Sequence, residues 1–228
     1  MEIDFTPFFK KYEDLVVSTG AVFEKVKKEF PECVKCKVEC SDCCHALFDL
    51  SLIEALYINN QFNRLFKDKK KEQLVVKANR ADRAVHKVKK KAYNDLQAGK
   101  KEDDIMQAMS KERVRCPLLN EKEVCDMYEY RPITCRLYGI PTAIGGFAHT
   151  CGKSGFVSGK EYSTVNLDII HNRLYKISVE LIKAVNSKHL QMADLFVPLS
   201  MALLTDYDEA YLGIRTGKKS DTADKDKD

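Results

Sequence analysis

The sequence predicts a mainly α protein, a single helical domain carrying two cysteine-rich metal-binding loops. Three observations lead there. Apolar residues recur at steps of three and four along several separate stretches, the repeat of one helix face. Nine cysteines gather at two distant stretches of the 228-residue chain instead of scattering. No internal repeat and no convincing linker divides the chain, so one packed unit over residues 1–215 is the simplest description, followed by a tail at 216–228.

The elements follow in order. Phe8, Tyr12, Leu15, Val22, Val26 and Phe30 repeat at helical spacing after Thr6-Pro7, with Pro7 suited to a first turn and Pro31 ending the run. This first helix delivers the chain to CVKCKVECSDCCHALFDL. Directly beyond, Ser51 and Glu54 have capping-box spacing and open a helix whose face is Leu52, Ala55, Leu56 and Phe62. Leu74, Ala78, Ala81, Val85, Val88 and Ala92 then draw a narrow apolar stripe along a long helix that should stop by Gly99. A shorter helical piece, EDDIMQAMSKE, leads to CPLLNEKEVCDMYEYRPITCRLYGIP, which is turn-rich, broken by proline and not periodic. Residues 141–159 are rich in glycine and read as loop, the signal for a hairpin being weak. Past Ser163-Thr164 a last helix carries Leu167, Ile170, Leu174, Ile177, Leu181 and Ala184, and an apolar stretch follows from Leu195 to Leu204. The tail GKKSDTADKDKD holds no apolar residue larger than alanine, cannot offset the entropy of ordering, and is expected to be disordered.

Charge and hydropathy exclude several classes. A net charge of +4 does not by itself demand a nucleic-acid or membrane partner. The amino terminus lacks the basic start, apolar run and cleavage site of a secretory signal, so the expected compartment is the cytoplasm. MADLFVPLSMALL is too short to span a bilayer and is interrupted by Asp194, Pro198 and Ser200, so no membrane span is expected.

In a reducing compartment disulfides do not persist, and clustered thiols are better explained as metal ligands. Cys33, Cys36, Cys40, Cys43 and Cys44 form the first group; gaps of two or three residues let the backbone turn so that sulfurs face one soft cation. Adjacent Cys43 and Cys44 are the exception, because neighbouring side chains point apart unless the backbone turns sharply. The second group, Cys116, Cys125 and Cys135 with Cys151 further on, is spaced too widely for a self-contained knuckle, so this loop is expected to close over the first. Lys35, Arg131 and Arg136 are candidates to balance the charge of a thiolate site. Five cysteines within twelve residues exceed what small core filler would give.

The two blocks, KCKVECSDCCHALFDLSLIEAL and CPLLNEKEVCDMYEYRPITCRLYGIP, resemble the YkgJ-type cysteine-cluster family, known for a zinc- or iron-chelating domain. The second block fits at Cys116, Pro117, Leu119, Cys125, Tyr128, Arg131, Pro132, Cys135, Arg136 and Tyr138. The first fits at Cys40, Cys43 and Cys44 but has Lys37 where the family places a cysteine, so Cys36 takes that role after a one-residue shift. The resemblance covers about Cys33 to Tyr138 and implies a ligand set drawn from Cys36, Cys40, Cys43, Cys44, Cys116, Cys125 and Cys135, with Cys33 and Cys151 as possible additions and Arg131 and Arg136 around them. Flagellin lysine methylases carry a similar cluster in a longer protein. That likeness and the excess of cysteines over four favour an iron–sulfur cluster over zinc. It leaves open whether this chain is an enzyme, since no G-x-G-x-x-G loop is present.

Other features read blandly. Lys67 to Lys91 holds eleven basic and three acidic residues, enough for a phosphate-binding stripe, yet a solvated helix face is the expected reading, without nucleic acid as partner. His45 and His149 neighbour cysteines and read as hydrogen-bonded loop histidines before ligands. The leading expectation is a metal-binding protein. The alternatives are a cluster-dependent enzyme modifying a protein side chain and a zinc-structured nucleic-acid module using helix 67–91, and a protein partner stays open.

Overall fold

A computed structural model describes residues 3–215; the expected disordered tail at 216–228 lies outside the described residues. The fold is mainly α, with seven α-helices and two small sheets among the described residues.

Helix α1 (Thr6–Glu29) takes Pro7 in its first turn, carries Lys27 and Lys28 at its carboxyl end, and buries Tyr12, Leu15 and Val26. Strand β1 (Asp49–Ser51) runs into α2 (Leu52–Leu65), the centre of the molecule: every residue from Leu52 to Ile58 is buried. A helix turn buried all round needs neighbours on every side. Helix α1, α6 (Leu167–Ala184) and α7 (Leu199–Leu204) supply them. Each large aliphatic side chain so enclosed contributes about 1.5–3 kcal/mol before entropy is subtracted.

Helix α3 (Asp68–Gln97) buries Leu74, Ala78 and Ala81, all in its first half, and Gly99 at φ +79° turns the chain after its end. Helix α4 (Glu102–Ser110) packs back on α3 through buried Ile105. Inside the turn-rich second block lies a short helix, α5 (Ile133–Leu137), which the sequence pattern did not reveal. Residues 141–159, read as loop, contain a hairpin: β2 (Thr142–Ile144) pairs antiparallel with β3 (Phe147–His149). Three-residue strands are too short to show alternation, and the turn rests on Gly145 and Gly146 at φ +56° and +81°. Strand β4 (Val165–Asn166) adds parallel to β2 and leads into α6, whose first turn is capped by the Asn166 side chain accepting from the N–H groups of Asp168 and Ile169. Strand β5 (Phe196–Pro198) pairs with β1, setting Val197 opposite Leu50. Among the described residues no helix is long and apolar enough to cross a membrane.

Candidate metal centre

The two cysteine blocks meet through their backbones. The N–H of Cys116 donates to the carbonyl of Cys44 at 2.7 Å, the N–H of Val114 donates to that of His45 at 3.0 Å, and Ala46 and Arg113 form an antiparallel bridge. This ladder holds residues 113–116 against residues 44–46, as the wide spacing of the second group requires.

Cys43 and Cys44 sit in a single 3₁₀ turn, Asp42–His45. Cys125 lies at the end of a tight loop bridged by Leu119 and Cys125, with Glu123 at φ +57°. Asn120 organises that loop: its Oδ1 accepts from the N–H groups of Lys122 and Val124, and its Nδ2 donates to Asp126, which also pairs with Lys70 at 2.7 Å. Cys135 is the third residue of α5. Pro132 gives that helix no side-chain cap, and the buried carboxylate of Glu54 on α2 accepts the N–H of Ile133 at 3.2 Å in its place. Glu54 therefore serves α5, and the capping box expected from Ser51 and Glu54 is not completed: the Ser51 hydroxyl caps no N–H of α2 and donates to Glu54 at 3.3 Å instead.

Two cavities share these cysteines. An inner one of about 60 Å³ is lined by Cys43, Cys44, Cys116, Cys125 and Cys135 among apolar neighbours such as Ile58, Val85 and Leu118. An outer cleft of about 480 Å³ is lined by Cys36, Cys40, Cys43, Cys44, Cys125, Cys135 and Cys151. Cys43, Cys44, Cys125 and Cys135 border both, a four-thiol wall with Cys116 behind it and Cys36, Cys40 and Cys151 in front. The adjacent pair is thus not divided between separate places. Cys33 lines neither cavity; it packs against the core, and its carbonyl accepts from the N–H of Gly155 at 2.8 Å.

The thiols sense one another. Cys43 is held well below the ordinary thiol range, chiefly because the thiols of Cys135 and Cys44 donate to it. Cys44 and Cys135 are pushed up by that same sharing and then by burial. Burial raises Cys36 to about 11 and Cys116 to about 12, and raises Cys125 and Cys151. Most of the cluster therefore keeps its protons until a cation replaces them. Among the described residues no group of three or more Cys, His, Asp or Glu side chains stands close enough together to hold a metal ion, so the cysteines line a shared space without forming a finished ligand shell.

Of the expected cations, two are at the site. The Arg131 guanidinium stacks over the Tyr128 ring at 3.8 Å, donates to the Tyr128 carbonyl at 2.8 Å and borders both cavities. Arg136 borders the outer cleft and donates through Nε to the Arg131 carbonyl at 2.9 Å, its guanidinium pKa lowered by burial and by Arg131. Lys35 instead pairs with Glu32 at 3.9 Å and lines neither cavity. His45 hydrogen-bonds the Ser41 carbonyl at 3.1 Å and His149 is exposed; neither lines a cavity.

Sequence reasoning missed Asp42 and Gly139. Asp42 pairs with Arg113 at 2.6 Å and accepts from the Cys151 thiol at 3.5 Å, tying the far cysteine to the first block. Gly139 leaves room for Cys36, whose sulfur lies 1.9 Å from where a Cβ would stand.

No curated protein and no solved structure matches this chain. The CxxCxxCC family model, described as "Putative zinc- or iron-chelating domain", matches residues 35–152, a span that holds both walls of the thiol cleft and every cysteine except Cys33. With more than half of its length matched, and with the eight matched cysteines gathered around two adjoining cavities, the chain belongs to the CxxCxxCC family.

Proposed function

We propose that this protein holds metal through the thiolates of its two cysteine blocks. Cys43, Cys44, Cys125 and Cys135 are the central ligands, Cys36, Cys40 and Cys116 complete the set, and Cys151 is an eighth donor; Cys33, which lines neither cavity, is left out of this set. The observation that carries this reading is the four-thiol wall shared by both cavities. Soft donors in this number suit zinc or iron, and Arg131 and Arg136 supply positive charge beside thiolates. Eight thiols exceed the four that one tetrahedral zinc or one cluster takes, so their number fits two centres of either kind, and it is the likeness of the cysteine blocks to those of flagellin lysine methylases that favours an iron–sulfur cluster. All nine cysteines are free thiols, so none is withheld from a metal by a disulfide.

Anaerobic purification followed by elemental analysis, acid-labile sulfide determination and a visible spectrum tests it. Iron with sulfide and a brown protein are expected. Stoichiometric zinc in a colourless protein would replace the cluster with zinc ions, and absence of both metals would overturn the reading.

A second reading, a cluster-dependent enzyme acting on a protein side chain, is favoured by the outer cleft of about 480 Å³ in front of the thiols. It requires an open coordination position. Addition of cyanide or imidazole to the loaded protein should then shift its visible spectrum; an unchanged spectrum removes this reading.

A further inference from the structure

The basic content of helix α3 is sorted by the fold. Lysines on its flanks are matched to carboxylates of the body: Lys70 with Asp126 at 2.7 Å, Lys77 with Glu121 at 2.8 Å and Lys89 with Asp49 at 2.6 Å. Arg80, Arg83, Lys87, Lys90 and Lys91 are all exposed and, among the described residues, make no ion pair. Their positions explain this. Arg80, Arg83, Lys87 and Lys90 each follow a member of the inward series Ala78, Ala81, Val85 and Val88 by two residues, about 200° further round the helix, so they point straight away from the core. Of the carboxylates on α3 itself, Asp82 accepts from the Ser200 hydroxyl at 3.1 Å and Asp95 pairs with Lys100 at 2.8 Å, while the exposed Glu102, Asp103 and Asp104 at the start of α4 make no ion pair with the row. The result is a row of five cations about 16 Å long, at 1.5 Å per residue, that makes no ion pair among the described residues.

A row of this kind selects its partner by chemistry. Anionic membranes are bound by helices that also insert an apolar face, and the apolar face of α3, Leu74, Ala78 and Ala81, is already buried in protein. Single strands need aromatic platforms, and the outward face from Arg80 to Lys91 has none. A helix about 10–12 Å across that presents one outward row of cations fits against a duplex groove about 12 Å wide, where the row meets the phosphates of its wall. We infer that the outward face of α3 binds double-stranded nucleic acid through its phosphates, without base specificity. This goes beyond metal holding and does not depend on it. The sequence count of basic residues favoured a solvated face; their sorting into matched flanks and an unmatched row changes the balance.

Fluorescence anisotropy of a labelled 24-base-pair DNA duplex with the full chain tests the inference. Five phosphate contacts give a log–log salt slope of about −4.5, an affinity loss of about 500-fold between 50 and 200 mM salt. The variant Arg80→Gln/Arg83→Gln/Lys87→Gln, all surface changes, should lose most binding at 50 mM and reduce the slope by about three. Lys70→Gln/Lys77→Gln, on the matched flank, should keep the wild-type slope. No duplex binding at 50 mM salt, a triple variant that binds like wild type, or a preference for anionic vesicles or an acidic polypeptide over duplex would overturn the inference.

Discussion

Glu54 links the helical core to the candidate metal centre, and removing it should loosen both. Its carboxylate is buried and accepts from the Ile133 N–H at 3.2 Å, the Ser51 hydroxyl at 3.3 Å and the Tyr12 hydroxyl at 3.4 Å. Glu54→Ala strands three buried donors. At about 1–3 kcal/mol for a donor left unpaired, and with two rotatable hydroxyls able to find other partners, the loss should be about 3 kcal/mol. Glu54→Gln keeps an acceptor for Ile133 and should lose about 1 kcal/mol. The pH dependence has a definite sign. Burial raises the Glu54 pKa above its ordinary 4.5, outweighing the hydrogen bonds that lower it. A raised carboxyl pKa means that the folded state holds its proton more tightly than the unfolded one. The stability this group contributes is therefore full below about pH 4.5 and is lost as pH rises through the folded value. The advantage of wild type over Glu54→Gln should accordingly shrink from pH 4.5 upward. Urea unfolding at several pH values measures both effects. Equal losses for the alanine and glutamine variants, or a wild-type advantage that grows with pH, would refute the reasoning.

Further outcomes follow from the same geometry. Cys43→Ser should abolish most metal content, whereas Cys33→Ser should leave metal stoichiometry unchanged, because Cys33 lines neither cavity; elemental analysis of both variants checks this. Gly139→Ala should displace the Cys36 side chain, whose sulfur lies 1.9 Å from the added Cβ, and weaken metal retention against a chelator while far-ultraviolet circular dichroism stays unchanged. Metal affinity should rise with pH by at least about tenfold per unit between pH 6 and 8, since thiols such as Cys36, raised to about 11, and Cys116, raised to about 12, must release protons to bind; calorimetry in buffers of different ionisation enthalpy counts those protons.

The helices were legible where one face is apolar over several turns. Helix α1 ends before Pro31 as Pro7 and Pro31 suggested, and α3 ends before Gly99. Helix α5 was not legible, because five residues give no period and its first N–H is satisfied by Glu54, seventy-nine positions earlier in the chain. The β1–β5 pair was hidden for a similar reason: Leu50 and Val197 meet only through the packing of α2 against α6 and α7. At the site, the thiols and the two arginines could be found from spacing and family resemblance. Asp42, Asn120 and Gly139 could not, since each acts through tertiary placement: an ion pair to Arg113, a loop hydrogen-bond pattern, and space for one sulfur. Val22 shows the opposite error, a periodic apolar residue that faces solvent.

The central claim is that sulfur from the two blocks holds the metal, and X-ray absorption at the metal edge of anaerobically purified protein measures this directly. The account predicts a first shell of sulfur at about 2.3 Å. A first shell of nitrogen or oxygen at about 2.0–2.1 Å, with no sulfur contribution, would contradict it.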